Sequence, residues 1–146
     1  MSRTPREVAE QVRRMVAGEP VVFADLFAVD GVLAYPFAVP GIHPEELKGR
    51  DAIRAFFTRA GQLRQLFAME GVDAVIRETD DPEVVVTEIT HYGRSLVTGD
   101  AYRLTALGII RVRDGEIVRY DDYMDSIALA RMLGRTGELT AALAST

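Results

Sequence analysis

At 146 residues, 48% hydrophobic and 27% charged, the chain has the size and balance of a single folded domain spanning 1–146, which excludes a disordered or two-domain chain. A net charge of −5 with scattered basic residues offers no stripe for a phosphate backbone, so nucleic acid is not an expected partner. With no cysteine, and with only His43 and His91 as imidazoles, disulfides, thiolate catalysis and the usual zinc sites are excluded, and no metal or cofactor is expected.

The N-terminal stretch "MSRTPREVAEQVRRMV" carries charge throughout, unlike a signal peptide, and no apolar run reaches membrane-spanning length. A cytoplasmic protein without a membrane partner is expected. Sixteen arginines stand against the single Lys48, a bias common in high-GC bacterial genomes.

The first helix is well marked. Thr4 is placed as N-cap, Pro5 at the first helical position and Glu7 three residues after the cap, and the helix should stop near Gly18 and Pro20. Val8, Val12, Met15 and Val16 follow helical spacing and should face the core. "PVVFADLFA" reads as a short second helix leading to a turn at Asp30-Gly31 and a strand "VLAYPF". "AVPGIHPEELKGR", with two prolines and two glycines, reads as an irregular loop in which His43 meets solvent. "DAIRAFFTRAGQLRQLF" is helical again.

Four long strands follow, at roughly 69–79, 83–96, 101–113 and 116–125, divided by "DDPE", "VTGD" and "RDGE". A last helix, "SIALARMLG", and a tail complete an α+β order, helices first and an antiparallel meander after. Met69 is expected to fill a gap in the core.

The segment "GEIVRYDDYMDS" holds three aspartates where strands usually avoid them. Hairpin loops set register, and register sets the face of each side chain. A three-residue loop Arg113-Asp114-Gly115 pairs Ala106 with Asp122. A two-residue loop Thr98-Gly99 pairs Ala106 with His91. These loops would put His91, Ala106 and Asp122 in one row over three strands, with about 9–10 Å between the outer backbones. A two-residue Asp114-Gly115 turn would instead send Asp122 to the opposite parity.

The even positions Leu104, Ala106, Gly108, Ile110 and Val112 are apolar or small and mark the inner face, shared with His91, Tyr120, Asp122 and Met124. Asp121, Tyr123 and Asp125 then point outward. An inward carboxylate has its pKa raised toward neutrality, where it can exchange protons. Imidazole is its natural complement, and the hydroxyls of Tyr35 and Tyr120, with Tyr102 as a further donor, could orient a substrate oxygen. These groups suit proton transfer on an apolar molecule. The competing reading is a hydrogen-bonded core histidine and packing tyrosines, in which case the chain is a binding or association domain.

"FADLFAVDGVLAYPF", "LKGRDAIRAFF" and "GIIRVRDGEIVRYDDYMD" together resemble the nuclear transport factor 2-like superfamily, and within it the SnoaL-like polyketide cyclases and limonene-epoxide-hydrolase-like enzymes. The resemblance spans residues 5–134. It implies a cone of curved antiparallel sheet and N-terminal helices around an apolar pocket, commonly in a homodimer. Leu33, Phe37, Ile89, Leu104, Ala106 and Met124 are the expected pocket lining. The essential last-strand aspartate of these enzymes falls on Asp122, and the tyrosine after the first strand on Tyr35. The Arg-x-Asp pair of the epoxide hydrolases falls on Ile89 and His91, and their asparagine on Phe37, so that water-activating set is altered.

The resemblance implies a cofactor-independent isomerase, cyclase or lyase for a small apolar oxygenated molecule such as a polyketide or terpenoid. Asp122, His91, Tyr35 and Tyr120 would form its site. Epoxide opening by a modified set, with His91 as base, and a non-catalytic binding domain are the alternatives.

Overall fold

The computed structural model describes residues 2–145. Helix α1 (Pro5–Val16) begins with the expected capping box, Thr4 Oγ1 accepting from the Glu7 amide and Glu7 accepting from the Thr4 amide. Val8, Ala9 and Val12 are buried on its inner face. A 3₁₀ turn, Phe23–Leu26, replaces the expected second helix. Strand β1 runs Phe27–Ala34, five residues earlier than expected.

The supposed Asp30-Gly31 turn lies inside that strand, at an irregularity in its pairing. Gly31 is needed there, since a Cβ would sit 2.7 Å from the Ile117 carbonyl oxygen. The loop that follows holds a short strand, β2 (Glu46–Lys48), hydrogen-bonded to β1. Helix α2 (Arg50–Ala60) then passes into a 3₁₀ turn, Gly61–Leu66.

The four long strands match expectation closely: β3 (Phe67–Glu78), β4 (Val84–Ser95), β5 (Ala101–Arg113) and β6 (Glu116–Met124). Helices α3 (Ser126–Met132) and α4 (Thr136–Ala144) follow. The strands form one curved, unclosed sheet in the order β2-β1-β6-β5-β4-β3. It is antiparallel except for β1 beside β6, which run parallel, because the chain leaves β1 through α2 and returns to its edge only in the last strand. The main core is built from α1, Phe23, Phe27, Leu33, Ile53, Val85, Ile110 and Ile117.

Two loops depart from the expected register. Between β4 and β5 the observed pairs are Arg94 with Ala101 and His91 with Leu104, so the loop is wider than two residues. Buried Ser95 causes this. Its Oγ accepts from the amides of Val97 and Thr98 and donates to the Met132 carbonyl, curling the chain before the glycine.

Between β5 and β6 the turn is Asp114-Gly115, with φ of 53° and 79° and Arg113 opposite Glu116. That turn alone would face Asp122 outward. A β-bulge restores the facing: Val112 pairs with Ile117 but Arg111 with Arg119, so Val118 is an extra residue. Asp122 therefore faces inward as expected, though its neighbours in the row are different.

Candidate active site

The row containing Asp122 is Thr87–Gly108–Asp122. The next is Ile89–Ala106–Met124, and His91 lies one row further, opposite Leu104. The expected His91–Ala106–Asp122 row is thus corrected. Each loop shifts its pair by two residues, and the four-residue offset of about 13 Å along β5, at right angles to the lateral spacing of about 9–10 Å, puts the two backbones about 16 Å apart. Both side chains still line the same hollow.

That hollow has two parts. An inner recess of about 140 Å³ is lined by Thr87, Ile89, Leu104, Ala106, Tyr120 and Asp122 among others. An outer chamber of about 540 Å³ is lined by Val22, His43, Phe56, Leu63, Met69 and three arginines among others. Met15, Val16, Phe23, Tyr35, Phe57, His91 and Met124 line both, so the two adjoin across a shared wall. The walls are apolar, with Phe23 packed edge-on to Phe57 and to Tyr120 at 5.0 and 5.5 Å.

Four of the expected lining residues, Ile89, Leu104, Ala106 and Met124, are in place. Leu33 is not a lining residue. It points into the packed core between Leu47 and Tyr120 and is fully buried. Phe37 lies beyond the end of β1, 66% exposed and edge-on to Tyr123. Met69 borders the chamber instead of filling the core.

Asp122 makes no hydrogen bond or ion pair among the described residues, and its Oδ1 is sealed from solvent without a partner. Burial pushes its pKa up to about 7. Gly108 makes room beside it. A Cβ there would lie 2.6 Å from Thr87 Oγ1 and 2.9 Å from the Tyr120 hydroxyl, so the missing side chain leaves space for these groups at the floor of the recess. Tyr35 and Tyr120 are both buried. Burial first, then the charge of Asp122, raises their pKa above the ordinary tyrosine value, so both hydroxyls keep their protons and can donate.

His91 is held differently. Its Nδ1 lies 2.9 Å from the Tyr102 hydroxyl, and Phe67 and Tyr102 flank its ring. Burial, then the Arg64 charge, lowers its pKa to about 4, so the imidazole is neutral at pH 7. Tyr102, expected near the substrate, serves His91. The other aspartates of the segment have plain duties. Asp121 pairs with Arg119 at 3.0 Å, and Asp125 caps α3 by accepting from the Ala128 amide.

His43 was expected in solvent and is not there. Its ring stacks on Tyr35 at 4.9 Å and 3° between planes, and both its nitrogens are buried without a partner. Burial lowers its pKa. The loop carrying it is tied down by Tyr35 N–H donating to the Glu45 carbonyl and by Arg135 donating to the Gly41 carbonyl. No periodicity marks a residue in such a loop, so the sequence held no signal for it.

His43→Phe keeps the stack and removes two unsatisfied nitrogens. The variant is expected to melt at or above the wild-type temperature while binding and turnover of a cavity ligand weaken several-fold. Differential scanning calorimetry beside a turnover assay checks it, and a large drop in melting temperature would make His43 a structural residue.

The sequence profile of the SnoaL-like domain family matches residues 8–120. The chain is 27% identical over 127 residues to an uncharacterized PhzA/B-like protein of Pseudomonas aeruginosa, covering 87% of each. Among solved structures, a suspected isomerase from Bacillus subtilis superposes with a TM-score of 0.72 at 23% identity, covering 88% of this chain and 93% of that one. A suspected polyketide cyclase from Pseudomonas putida gives 0.67 at 18% identity, covering 90% and 98%. The fold is the nuclear transport factor 2-like fold of these neighbours.

Proposed function

Because the chain belongs to the SnoaL-like domain family, we propose that it is a cofactor-independent acid/base enzyme of isomerase, cyclase or lyase type. Its substrate is a small apolar oxygenated molecule such as a polyketide or terpenoid. One observation carries this reading: a carboxyl group with a pKa near 7 and no protein partner, in an apolar recess. An Asp in that setting destabilises the fold, a cost for which a role in catalysis gives a reason, and a pKa matched to the medium suits both taking and giving a proton.

In this scheme Asp122, as carboxylate, removes a proton from a carbon beside a substrate carbonyl and returns it at a second position. Tyr35 and Tyr120 donate to the substrate oxygen as negative charge develops on it. His91, neutral and oriented by Tyr102, supplies a second polar contact further along the substrate. It does not act on Asp122 directly.

Exchange in deuterated water tests the scheme without knowledge of the natural product. Apolar ketones and β-diketones incubated with the protein should gain deuterium beside the carbonyl, and Asp122→Asn should abolish the gain. Exchange that persists in Asp122→Asn, or that appears with no ketone of the panel, removes the mechanism. Diol formed from an epoxide would move the reading to epoxide opening.

The proposed assembly is a homodimer formed through the outer face of the sheet, where Val75, Leu107 and Ile109 are 44, 41 and 40% exposed. Light scattering that gives a monomer mass at micromolar concentration removes it.

A further inference from the structure

The chamber is apolar along its walls and basic at its rim. Arg54, Arg64 and Arg135 line it, with Glu19 as the acidic residue among the lining. Three of these four charges are already answered. Arg54 binds Asp25 at 2.7 Å, Arg135 binds Glu138, and Glu19 takes Arg14 at 2.9 Å.

Arg64 has no carboxylate partner among the described residues. Its Nη2 donates to the carbonyls of Met15 and Val16 at 2.8 and 3.2 Å, the last turn of α1. Those two bonds fix the guanidinium beside the cavity wall, because Met15 and Val16 line both the chamber and the recess. The hydrogens on Nε and Nη1 make no hydrogen bond among the described residues, and the side chain is exposed. A held, half-used guanidinium at an apolar opening is equipped to take an oxyanion.

The far end has the opposite character. Asp122 waits in the recess without a partner, and its carboxylate form would repel a second anion there. Repulsion by that form favours an anionic ligand that enters with its charge outward.

We infer that the substrate is an amphipathic monoanion whose carboxylate is taken by Arg64 at the rim, while its apolar body fills the chamber and its reacting end reaches Asp122. The identity of the reacting end rests on the acid/base reading of the recess. Recognition of the anion by Arg64 does not.

Two fluorescent probes that share one apolar body separate these statements. 8-Anilinonaphthalene-1-sulfonate carries an anion and N-phenyl-1-naphthylamine does not. The folded wild-type chain should bind the anionic probe about tenfold more tightly, and 1-naphthoate should displace it. Arg64→Gln should lose that preference with its affinity for the neutral probe unchanged. Arg64→Lys should keep most of it, and Arg59→Gln, on exposed α2 surface, should keep all of it. Circular dichroism melts confirm that each variant is folded.

Equal affinity for both probes in the wild type, or a preference that survives Arg64→Gln or falls equally in Arg59→Gln, overturns recognition by Arg64 and leaves the acid/base reading intact. Failure of the neutral probe to bind the wild type shows a closed chamber and overturns both.

Discussion

Asp122→Asn should fold more stably than the wild type and lose at least a hundredfold in turnover, a pairing of effects that a structural aspartate cannot produce. General acid/base groups contribute about 10²- to 10⁴-fold, and an amide keeps the shape of the carboxyl without its proton chemistry. The gain in stability follows from linkage. The folded pKa of Asp122 is about 7 against an ordinary value of 3.8. Between these values the folded chain holds a proton that the unfolded chain has released, so stability falls as pH rises and is lowest above 7. The full effect is on the order of 4 kcal/mol at neutral pH.

His91 works in the opposite sense. Its folded pKa of about 4 lies below the ordinary 6.5, so from 6.5 down to 4 the unfolded chain gains a proton that the folded chain refuses. Stability on that account falls with acidity. His43, lowered by the same cause, adds to it. In the wild type these slopes oppose the Asp122 slope across pH 4 to 6.5. In Asp122→Asn the opposing slope is gone and stability falls with acidity, Glu83 and Glu7 adding to the histidines at the acid end. Urea denaturation from pH 4.5 to 8 should show a variant whose advantage grows up to pH 7 and then levels. An advantage that is flat with pH would mean that Asp122 is ionised throughout, as an exposed carboxylate is.

Gly108→Ala should damage the fold and the recess together. The new Cβ would meet Thr87 Oγ1 at 2.6 Å and the Tyr120 hydroxyl at 2.9 Å, both closer than real Cβ contacts allow. Tyr120 is boxed by Phe23 and Phe27 and has little room to retreat. The overpacking should cost about 1–3 kcal/mol, and a shift of Tyr120 by about 1 Å should lower turnover by about a hundredfold. Calorimetry and steady-state rates read the two effects separately. Turnover within twofold of wild type would show that the floor of the recess takes no part in the reaction.

Much of this arrangement could be read from the chain. The capping box of α1, the four long strands and the inward parity of His91 follow from local rules, because turn residues and alternation are local facts, whereas Asp122 faces inward through a two-residue turn and a bulge in place of the expected three-residue loop. The alignment of those strands along one another was not local. It depends on Ser95 reaching the Met132 carbonyl, 37 residues away, and on a bulge that no turn rule announces. Leu33 and Phe37 were misplaced for a related reason: β1 starts earlier than its apolar run suggests, so the chain has already left the sheet by Phe37. His43 lies in a loop without periodicity and Arg64 in the 3₁₀ turn where the expected helix ends early, and only the folded chain shows what they face.

The extra residue at Val118 has a consequence for comparing this chain with its relatives. Asp121 and Asp122 are neighbours, and one of them meets solvent and an arginine while the other meets the recess. The choice is made four positions earlier. An insertion or deletion of one residue anywhere between the turn and Arg119, if not matched by gain or loss of the bulge, exchanges the two acids. Relatives aligned through this strand without regard to turn length will therefore place the inward acid one column off. A lineage could also move its reactive carboxyl from one aspartate to the next with no change in either.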